Sequence, residues 1–189
     1  TATTSITISQ PTLLVASSSA TAILCNGGSS TVTVSATGGT PAYSGTGSFS
    51  RTAGTWSFTV TDANGCTATT SITISQPAEP VAFSTITVTE PLCNGGFDGT
   101  IFVEGGGGTA PYQYSQDGIN FYPDQLLYGY AAGIYSVWVR DANGCEFSQS
   151  VFVGEPGQIE ATATVPLHSC NGGELTLTMT GGVSPYVIK

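Results

Sequence analysis

The cysteines of this chain are the residues best suited to do chemistry, and they fall in two recurring strings. Cys-Asn-Gly-Gly begins at Cys25, Cys93 and Cys170, and Asp-Ala-Asn-Gly-Cys ends at Cys66 and Cys145. Paired thiols form the disulfides of small exported domains, whereas clustered thiolates bind zinc. Apart from His168 near Cys170, no second Cys or His lies close to any of them. Disulfides are therefore the predicted chemistry.

Two pairings of these cysteines are consistent with the sequence. The first is Cys25–Cys66 with Cys93–Cys145, which leaves Cys170 for a partner beyond residue 189. The second is Cys66–Cys93 with Cys145–Cys170, which leaves Cys25 for a partner before residue 1. The first places each bond inside one repeated unit, where closing the loop could stabilise the unit by roughly 4 kcal/mol. The second has more uniform spacing but joins neighbouring units.

Acidic side chains are the candidates for binding calcium. Asp98, Asp117 and Asp124 fall in predicted loops and are weak candidates for this role. Asp62 and Asp141 begin turns, where an aspartate bonds backbone N–H groups without any metal. No Asp-x-Asp-x-Asp-Gly loop occurs in the sequence. We therefore expect no metal site and no other cofactor.

Catalytic motifs are missing from the sequence. His168 is its only histidine, and there is no Gly-x-Ser-x-Gly or His-Glu-x-x-His string. The glycine run 105–108 lacks the lysine and helix that follow a phosphate-binding loop. The chain is predicted not to be an enzyme.

Aromatic and aliphatic side chains suggest a contact surface in the second half of the chain. Trp138 is predicted to point outward from its strand, on the face where Ile134 and Phe152 lie opposite each other. The loop 121–130 is unusually apolar, and its aromatic residues are Phe121, Tyr122, Tyr128 and Tyr130. Part of this loop must be core. The rest predicts a surface that meets a neighbouring chain, a neighbouring repeat or a glycan.

The elements that position these residues are predicted to be short strands. Apolar and polar residues alternate strictly over 55–61 and again over 134–140, and each stretch runs into the Asp-Ala-Asn-Gly turn. This turn predicts a three-residue hairpin loop with a glycine bulge. The predicted register sets Asp141 against Cys145, Arg140 against Glu146, Val139 against Phe147, Val137 against Gln149 and Tyr135 against Val151.

Further strands are predicted at 30–37 and 100–104, each followed by a Gly-rich corner with a proline. No helical periodicity appears, so each unit is predicted to be an antiparallel β-sandwich. TATTSITISQP occurs at 1–11 and again, unchanged, at 67–77. The repeats divide the chain into a last strand at 1–11, full repeats at 12–77 and 78–155, and a partial repeat at 156–189. Prolines close the units without flexible linkers, which predicts a stiff rod.

The composition is that of an exported protein. Charged residues make up 8% of the chain, against about 25% in soluble domains. The net charge is -9, with no basic run, so binding to nucleic acid or to anionic lipid is not expected. No apolar stretch approaches the roughly 20 residues that span a bilayer, so we expect no membrane insertion. We expect any export signal to lie upstream of residue 1.

These strings together resemble a known family. The pattern CNGG, GTI.V, GG..PY and AG.YSV.V.DANGC resembles the SprB repeat, named for the gliding adhesin of Bacteroidota, and more loosely the PKD-type immunoglobulin-like domain. The resemblance implies an all-β fold of tandem immunoglobulin-like repeats in a large cell-surface protein exported by type IX secretion. It also implies self-contained repeats, which favours the Cys25–Cys66 and Cys93–Cys145 pairing.

The predicted function is structural. The leading hypothesis is a non-catalytic stalk or filament segment of a secreted cell-surface adhesin, built of disulfide-stapled repeats. One alternative is a carbohydrate-binding or spacer module of a secreted hydrolase. Another is a subunit of a homopolymeric extracellular fibre, in which residues 1–10 add a strand to a neighbouring molecule. The expected partners are neighbouring repeats or chains of the same protein, with glycans and host or environmental surfaces as further candidates.

Overall fold

The computed structural model describes residues 3–165 and 175–188. His168 and Cys170 lie outside the described residues. The described chain is all-β, made of several small antiparallel sheets, and none of it is helical, so it contains no helix that could cross a membrane. Contacts divide the chain into two compact units, Thr1–Pro80 and Val81–Lys189. The division into four segments stays a prediction.

The first unit has two sheets. One is formed in the order β1–β2–β3 by Val15–Ala20, Ser30–Thr37 and Gly47–Arg51. The other pairs β4 (Gly54–Thr61) with β5 (Thr67–Ile74). The strands predicted at 30–37 and 55–61 are confirmed.

The core of the first unit lies between its two sheets. Alternate residues of one sheet and of the other share one buried cluster, made of Ile23, Val32, Val34, Phe58, Val60 and Ile74. Because side chains of a strand alternate between faces, the threonines and serines between them stay in water. Burial of these side chains from both sheets holds the unit together.

The second unit repeats this plan with one more strand. Its strands are β6 (Ala82–Thr89), β7 (Gly99–Gly106), β8 (Gln113–Ser115), β9 (Leu126–Tyr130), β10 (Gly133–Arg140) and β11 (Glu146–Val153). They form the sheets β6–β7–β9 and β11–β10–β8. After them β12 (Glu160–Thr164) pairs with β13 (Thr176–Thr180), as β1 pairs with β2.

The predicted hairpin register is confirmed. Tyr135 pairs with Val151, Val137 with Gln149, Val139 with Phe147 and Arg140 with Glu146, and the amide of Asp141 donates to the carbonyl of Cys145 at 2.9 Å. Arg140 and Glu146 form an ion pair at 2.6 Å. The pairing of apolar with apolar and of charge with charge was enough to set the register.

The units differ most between the proline corner and the strand that ends in Asp-Ala-Asn-Gly. In the first unit this stretch is short and meets that strand through the bridge between Ser44 and Thr61. In the second unit the matching pair is Gln113 with Arg140, and the chain continues as β8 and a turn at Asp117. The longer stretch gives the second unit a covered outer face that the first unit lacks.

Candidate functional site

A buried aspartate joins two separate segments of the first unit. Asp62 begins the turn between β4 and β5 and is 6% exposed. Its Oδ1 accepts hydrogen bonds from the amides of Asn64 and Cys66, both at 2.9 Å. Its Oδ2 accepts one from the amide of Thr40, in the corner after β2, at 2.9 Å. The Asn64 side chain donates to the Thr40 hydroxyl at 2.8 Å and closes a ring of bonds, which we call the aspartate clamp.

The second unit contains the same clamp. Asp141 is 4% exposed and accepts from the amides of Asn143 and Cys145 at 2.9 Å through Oδ1. Its Oδ2 accepts from the amide of Thr109 at 2.9 Å, and Asn143 donates to the Thr109 hydroxyl at 3.0 Å. Bonds to a carboxylate are about twice as strong as neutral ones, so the clamp is a strong closure.

Glycine is required beside each clamp. Gly39 and Gly108 have φ angles of +59° and +51°, in the left-handed region. A Cβ at these positions would lie 2.7 Å from Oδ2 of Asp62 and 2.5 Å from Oδ2 of Asp141. The Gly-Gly strings therefore make room for the carboxylates.

The asparagine of Cys-Asn-Gly-Gly holds the chain where it leaves a repeat. In the first unit the Asn26 side chain donates to the carbonyls of Pro77 and Ala78 at 2.8 and 3.2 Å. The amide of Gly27 donates to the Gln76 side chain at 3.0 Å. We call this arrangement the exit clamp.

The exit clamp also occurs in the second unit. Asn94 donates to the carbonyl of Pro156 at 3.1 Å, and the amide of Gly95 donates to the Glu155 side chain at 2.7 Å. In both units the asparagine donates to a main-chain carbonyl of the proline, and the glycine amide donates to the side chain before the proline, which is Gln76 or Glu155. Both copies thus hold the same point of the repeat by the same atoms.

A tyrosine braces the glycine corner of each copy. The hydroxyls of Tyr43 and Tyr112 donate to the carbonyls of Gly38 and Gly107, both at 2.6 Å. Tyr186 makes the matching bond to Gly181. The contacts of these tyrosines, of the exit-clamp asparagines and of the corner threonines were missed by sequence reasoning. Their recurrence in the repeated strings was the available signal.

Three of the four cysteine pairs predicted from the sequence are wrong. Cys66 and Cys93 are free and exposed, whereas Cys25 and Cys145 are disulfide-bonded. Neither Cys25–Cys66 nor Cys93–Cys145 exists, and neither does Cys66–Cys93. The pairing of Cys145 with Cys170 falls on a residue outside the described part of the chain.

The physical reason is that the two motifs lie at opposite ends of a unit. Cys66 precedes the first residue of β5, and the turn of Cys25 binds Pro77, beyond the last residue of β5. An eight-residue strand spans about 27 Å, whereas the Cα atoms of a disulfide lie within about 7 Å. Cys93 and Cys145 are separated by β11 in the same way.

Ile134 and Phe152 form an exposed apolar pair. They face each other across β10 and β11 and are 75% and 69% exposed. The matching pair of the first unit is Thr55 with Thr73, whose hydroxyls are 2.9 Å apart. At this position the second unit therefore exposes an apolar pair to solvent, whereas the first unit has a polar pair.

Trp138 and Phe121 are partly covered. Trp138 is half-buried, and Gly118 lies against it, since a Cβ there would be 3.0 Å from the indole. The guanidinium carbon of Arg140 lies 3.7 Å from the centre of the Phe121 ring. The loop after β8 thus packs on the outer face of β10 at Trp138 and Arg140, the same face that carries the exposed pair.

The tyrosines of loop 121–130 separate into surface and core. Tyr122 and Tyr128 are exposed, but Tyr128 belongs to β9, in the other sheet from Ile134. Tyr130 is 3% exposed and packs edge-on against Tyr135, so its inclusion in the contact surface is wrong. Burial, with a smaller effect from Tyr135, raises the pKa of Tyr130 to about 12.

Residues 85–121 match the family described as the SprB repeat. The matched residues lie within the second unit. The matched segment includes the Cys93 turn, β7 and the corner braced by Tyr112. A comparison with curated proteins finds no match to the chain. SprB repeats form a non-catalytic family of surface proteins, and a disulfide-bonded repeat fits an extracellular location.

The carboxylates considered for calcium do not come together in the second unit. Asp117 accepts hydrogen bonds from Ser115, Ile119 and Asn120, all in its own turn. Asp98 accepts from the amide of Leu92, and Asp124 is exposed. Among residues 3–165 and 175–188, no group of three or more His, Cys, Asp or Glu could hold a metal ion. The hydrogen bonds of Asp117 account for its position in the turn.

Removing the aspartate clamp should destabilise the second unit. We expect Asp141→Ala to lower the free energy of unfolding by about 3 kcal/mol, because it leaves buried amides without an acceptor. The exposed Asp124→Ala should change it by less than about 0.5 kcal/mol. Urea unfolding followed by tryptophan fluorescence measures both. Equal effects of the two substitutions would contradict a closing role for Asp141.

Low pH should reduce the stability of the fold, because it protonates carboxylates that accept hydrogen bonds. The amide of Thr40 is the main cause that lowers the pKa of Asp62 below 3.8, and the amide of Asn120 is the main cause for Asp117. Because these pKa values are lower in the folded state, their contribution to stability is complete above about pH 4 and is lost as the pH falls further.

We therefore expect the urea midpoint to decline below about pH 4. Asp62→Asn should reduce this decline, while the exposed Asp124→Asn should leave it unchanged. A parent chain that is as stable at pH 2.5 as at pH 7 would show that the two carboxylates do not act in this way.

Proposed function

We propose that the chain is a stretch of the stalk of a large secreted cell-surface adhesin. In this proposal consecutive SprB-type repeats, each an immunoglobulin-like sandwich, form a rod that carries a binding region away from the cell. The repeats are the segments 12–77 and 78–155, with parts of two others at 1–11 and 156–189. The observation that carries the proposal is the exit clamp.

The exit clamp supports a mechanical role because it acts on the outgoing chain. Asn26 and Asn94 bind carbonyls at Pro77 and Pro156, a few residues beyond the last strand of each repeat. Without these bonds the segment after β5 or β11 would be a free linker. With them, the direction in which the chain leaves a repeat is a property of the repeat itself. That is what a stiff array requires.

The aspartate clamp supports the sandwich. It ties the hairpin of one sheet to the corner that follows the central strand of the other sheet, and the core residues of both sheets lie between. A sandwich closed at its end by buried hydrogen bonds resists shear of one sheet over the other. Tension on a stalk applies a load of this kind.

A fibre made by strand addition remains the second candidate, since one observation favours it. Residues 3–11 are unpaired, and Ile6 and Ile8 are 87% and 91% exposed. The same sequence in β5 places Ile74, the counterpart of Ile8, at 5% exposure. This segment therefore needs a β4-like partner. A preceding repeat supplies it in a stalk, and a second molecule supplies it in a fibre.

We further propose that the exposed pair Ile134–Phe152, with Trp138 and Phe121 beside it, is a contact surface for another copy of the repeat. Tyr122 is also exposed and follows Phe121 in the chain, whereas the exposed Tyr128 lies on β9 in the other sheet. The patch is absent from the first unit, where threonines hold the equivalent positions. It is therefore specific to one repeat rather than part of the shared scaffold.

Deleting one repeat from the intact protein tests the stalk. We expect removal of residues 78–155 to leave export and binding intact and to shorten the stalk by about 30 Å, the length of one eight-residue strand and its turns. Atomic force microscopy of the secreted molecule measures the length. Removal of residues 12–77 is the matched control and should shorten it equally. Loss of binding in the first deletion alone would instead place a binding region in residues 78–155 and contradict the stalk.

Replacing the apolar pair tests the contact surface. The double variant Ile134→Thr and Phe152→Thr copies the polar pair of the first unit, so its stability should be unchanged. We expect self-association to weaken at least about tenfold, equivalent to about 1.4 kcal/mol. Sedimentation velocity measures it. A double Thr85→Ser and Thr87→Ser variant on the other sheet serves as control, and unchanged association of the first variant would refute the proposal.

A further inference from the structure

Two free thiols in the described part of the chain are counterparts of bonded cysteines. Cys66 holds the position in Asp-Ala-Asn-Gly-Cys that Cys145 holds in the second unit, and Cys93 matches Cys25 in Cys-Asn-Gly-Gly. Cys25 and Cys145 are disulfide-bonded, whereas Cys66 and Cys93 are free. Among the described residues, each of the two motifs thus has one bonded cysteine and one free cysteine.

We propose that Cys66 and Cys93 are covalent attachment sites for further SprB-type repeats. Cys66 forms a disulfide with the cysteine of a Cys-Asn-Gly-Gly turn. Cys93 forms one with the cysteine of an Asp-Ala-Asn-Gly-Cys turn. The proposal rests on the proposed function only in requiring that other repeats adjoin this chain.

The surroundings of Cys66 fit a Cys-Asn-Gly-Gly turn. Cys66 lines a groove of about 320 Å³ together with Gln10, Pro11 and Leu13. Gln10-Pro11 corresponds to Gln76-Pro77 and to Glu155-Pro156, the pairs that exit clamps bind. An exit clamp that bound Pro11 would bring its cysteine, which directly precedes the clamp asparagine, to the edge of this groove.

The surroundings of Cys93 fit the other motif. Cys93 lines a groove of about 370 Å³ with Gly157, Ile159 and Gly182. Gly182 has a φ of +60° and corresponds to Gly39 and Gly108, the glycines that lie against the clamp aspartates. An aspartate clamp closed on the Gly182 corner would place its cysteine in the groove, as the first unit places Cys66 beside Gly39.

The chemistry is a pair of thiol–disulfide exchanges. The Cys93 thiolate attacks a disulfide oxidant such as glutathione disulfide, which releases one glutathione thiolate and leaves a mixed disulfide. The thiolate of the partner cysteine then attacks the Cys93 sulfur and releases the second glutathione thiolate. One bond forms between the two protein sulfurs, two protons are lost from the protein thiols, and the oxidant takes up two electrons. Both free cysteines are exposed, so the oxidant can reach them.

Peptide mapping of the native secreted protein tests the proposal. Free thiols are alkylated first, and the protein is then digested without reduction. We expect the Cys66 peptide to be cross-linked to a Cys-Asn-Gly-Gly peptide and the Cys93 peptide to an Asp-Ala-Asn-Gly-Cys peptide. Alkylated Cys66 and Cys93, or the cross-links Cys25–Cys66 and Cys93–Cys145, would overturn it. On a non-reducing gel, a single band at the monomer mass would show that the partner cysteine lies in the same polypeptide. A ladder of larger bands would show that it lies in a second chain.

A lengthened chain provides an independent test. A second copy of residues 116–155 is added after Lys189, so that the repeat beginning at Pro156 gains its own Asp-Ala-Asn-Gly-Cys, and Cys170→Ser removes a competing thiol. We expect the alkylation of Cys93 to fall at least about tenfold after oxidation by glutathione disulfide, while Cys66 stays reactive. The matched control carries serine for the added cysteine and should leave Cys93 reactive. Equal reactivity of Cys93 in both chains would count against the proposal.

The proposal of a stalk and the proposal of attachment disulfides can be refuted separately. Peptide mapping detects disulfide bonds, and its result does not depend on the length of the stalk or on binding. The deletion of residues 78–155 measures the length of the stalk and its binding, and neither result depends on how the cysteines are paired. An array of repeats with free thiols would refute the attachment sites and leave the stalk in place.

Discussion

A buried carboxylate that bonds main-chain amides from two segments is the interaction on which each repeat depends. Asp62 and Asp141 lie at the start of a hairpin turn and reach the corner that follows the central strand of the opposite sheet. The corner glycines leave room for the carboxylate, and a tyrosine braces the same corner. With few charged side chains and small cores, the units gain from a strong, water-excluded contact between their sheets.

The sequence was informative wherever a local pattern decided the structure. Apolar alternation and the Asp-Ala-Asn-Gly turn predicted the hairpin to the residue, because a wrong register would have set Arg140 against an apolar partner. The aspartates were assigned to the turn, but their bonds to Thr40 and Thr109 join distant segments and leave no periodic signal. The cysteine pairing was wrong because spacing along the chain does not tell which end of a sandwich a turn occupies.

The two repeats share their clamps and differ on their surfaces. The aspartate clamp and the asparagine bonds to the closing prolines recur in both units, whereas the pairs Thr55–Thr73 and Ile134–Phe152 occupy the same place with opposite polarity. The longer loop of the second unit adds core through Tyr130 and covers Trp138 with Gly118. Because the clamps are independent of these surface residues, the surface is free to vary without loss of the fold.

The clamps also determine how the molecule responds to salinity. Dissolved ions screen exposed charge pairs but have little effect on buried hydrogen bonds. The Arg140–Glu146 ion pair is partly exposed, whereas the clamp aspartates are almost fully enclosed and bond neutral amides. The stability that comes from these enclosed hydrogen bonds therefore changes little with ionic strength.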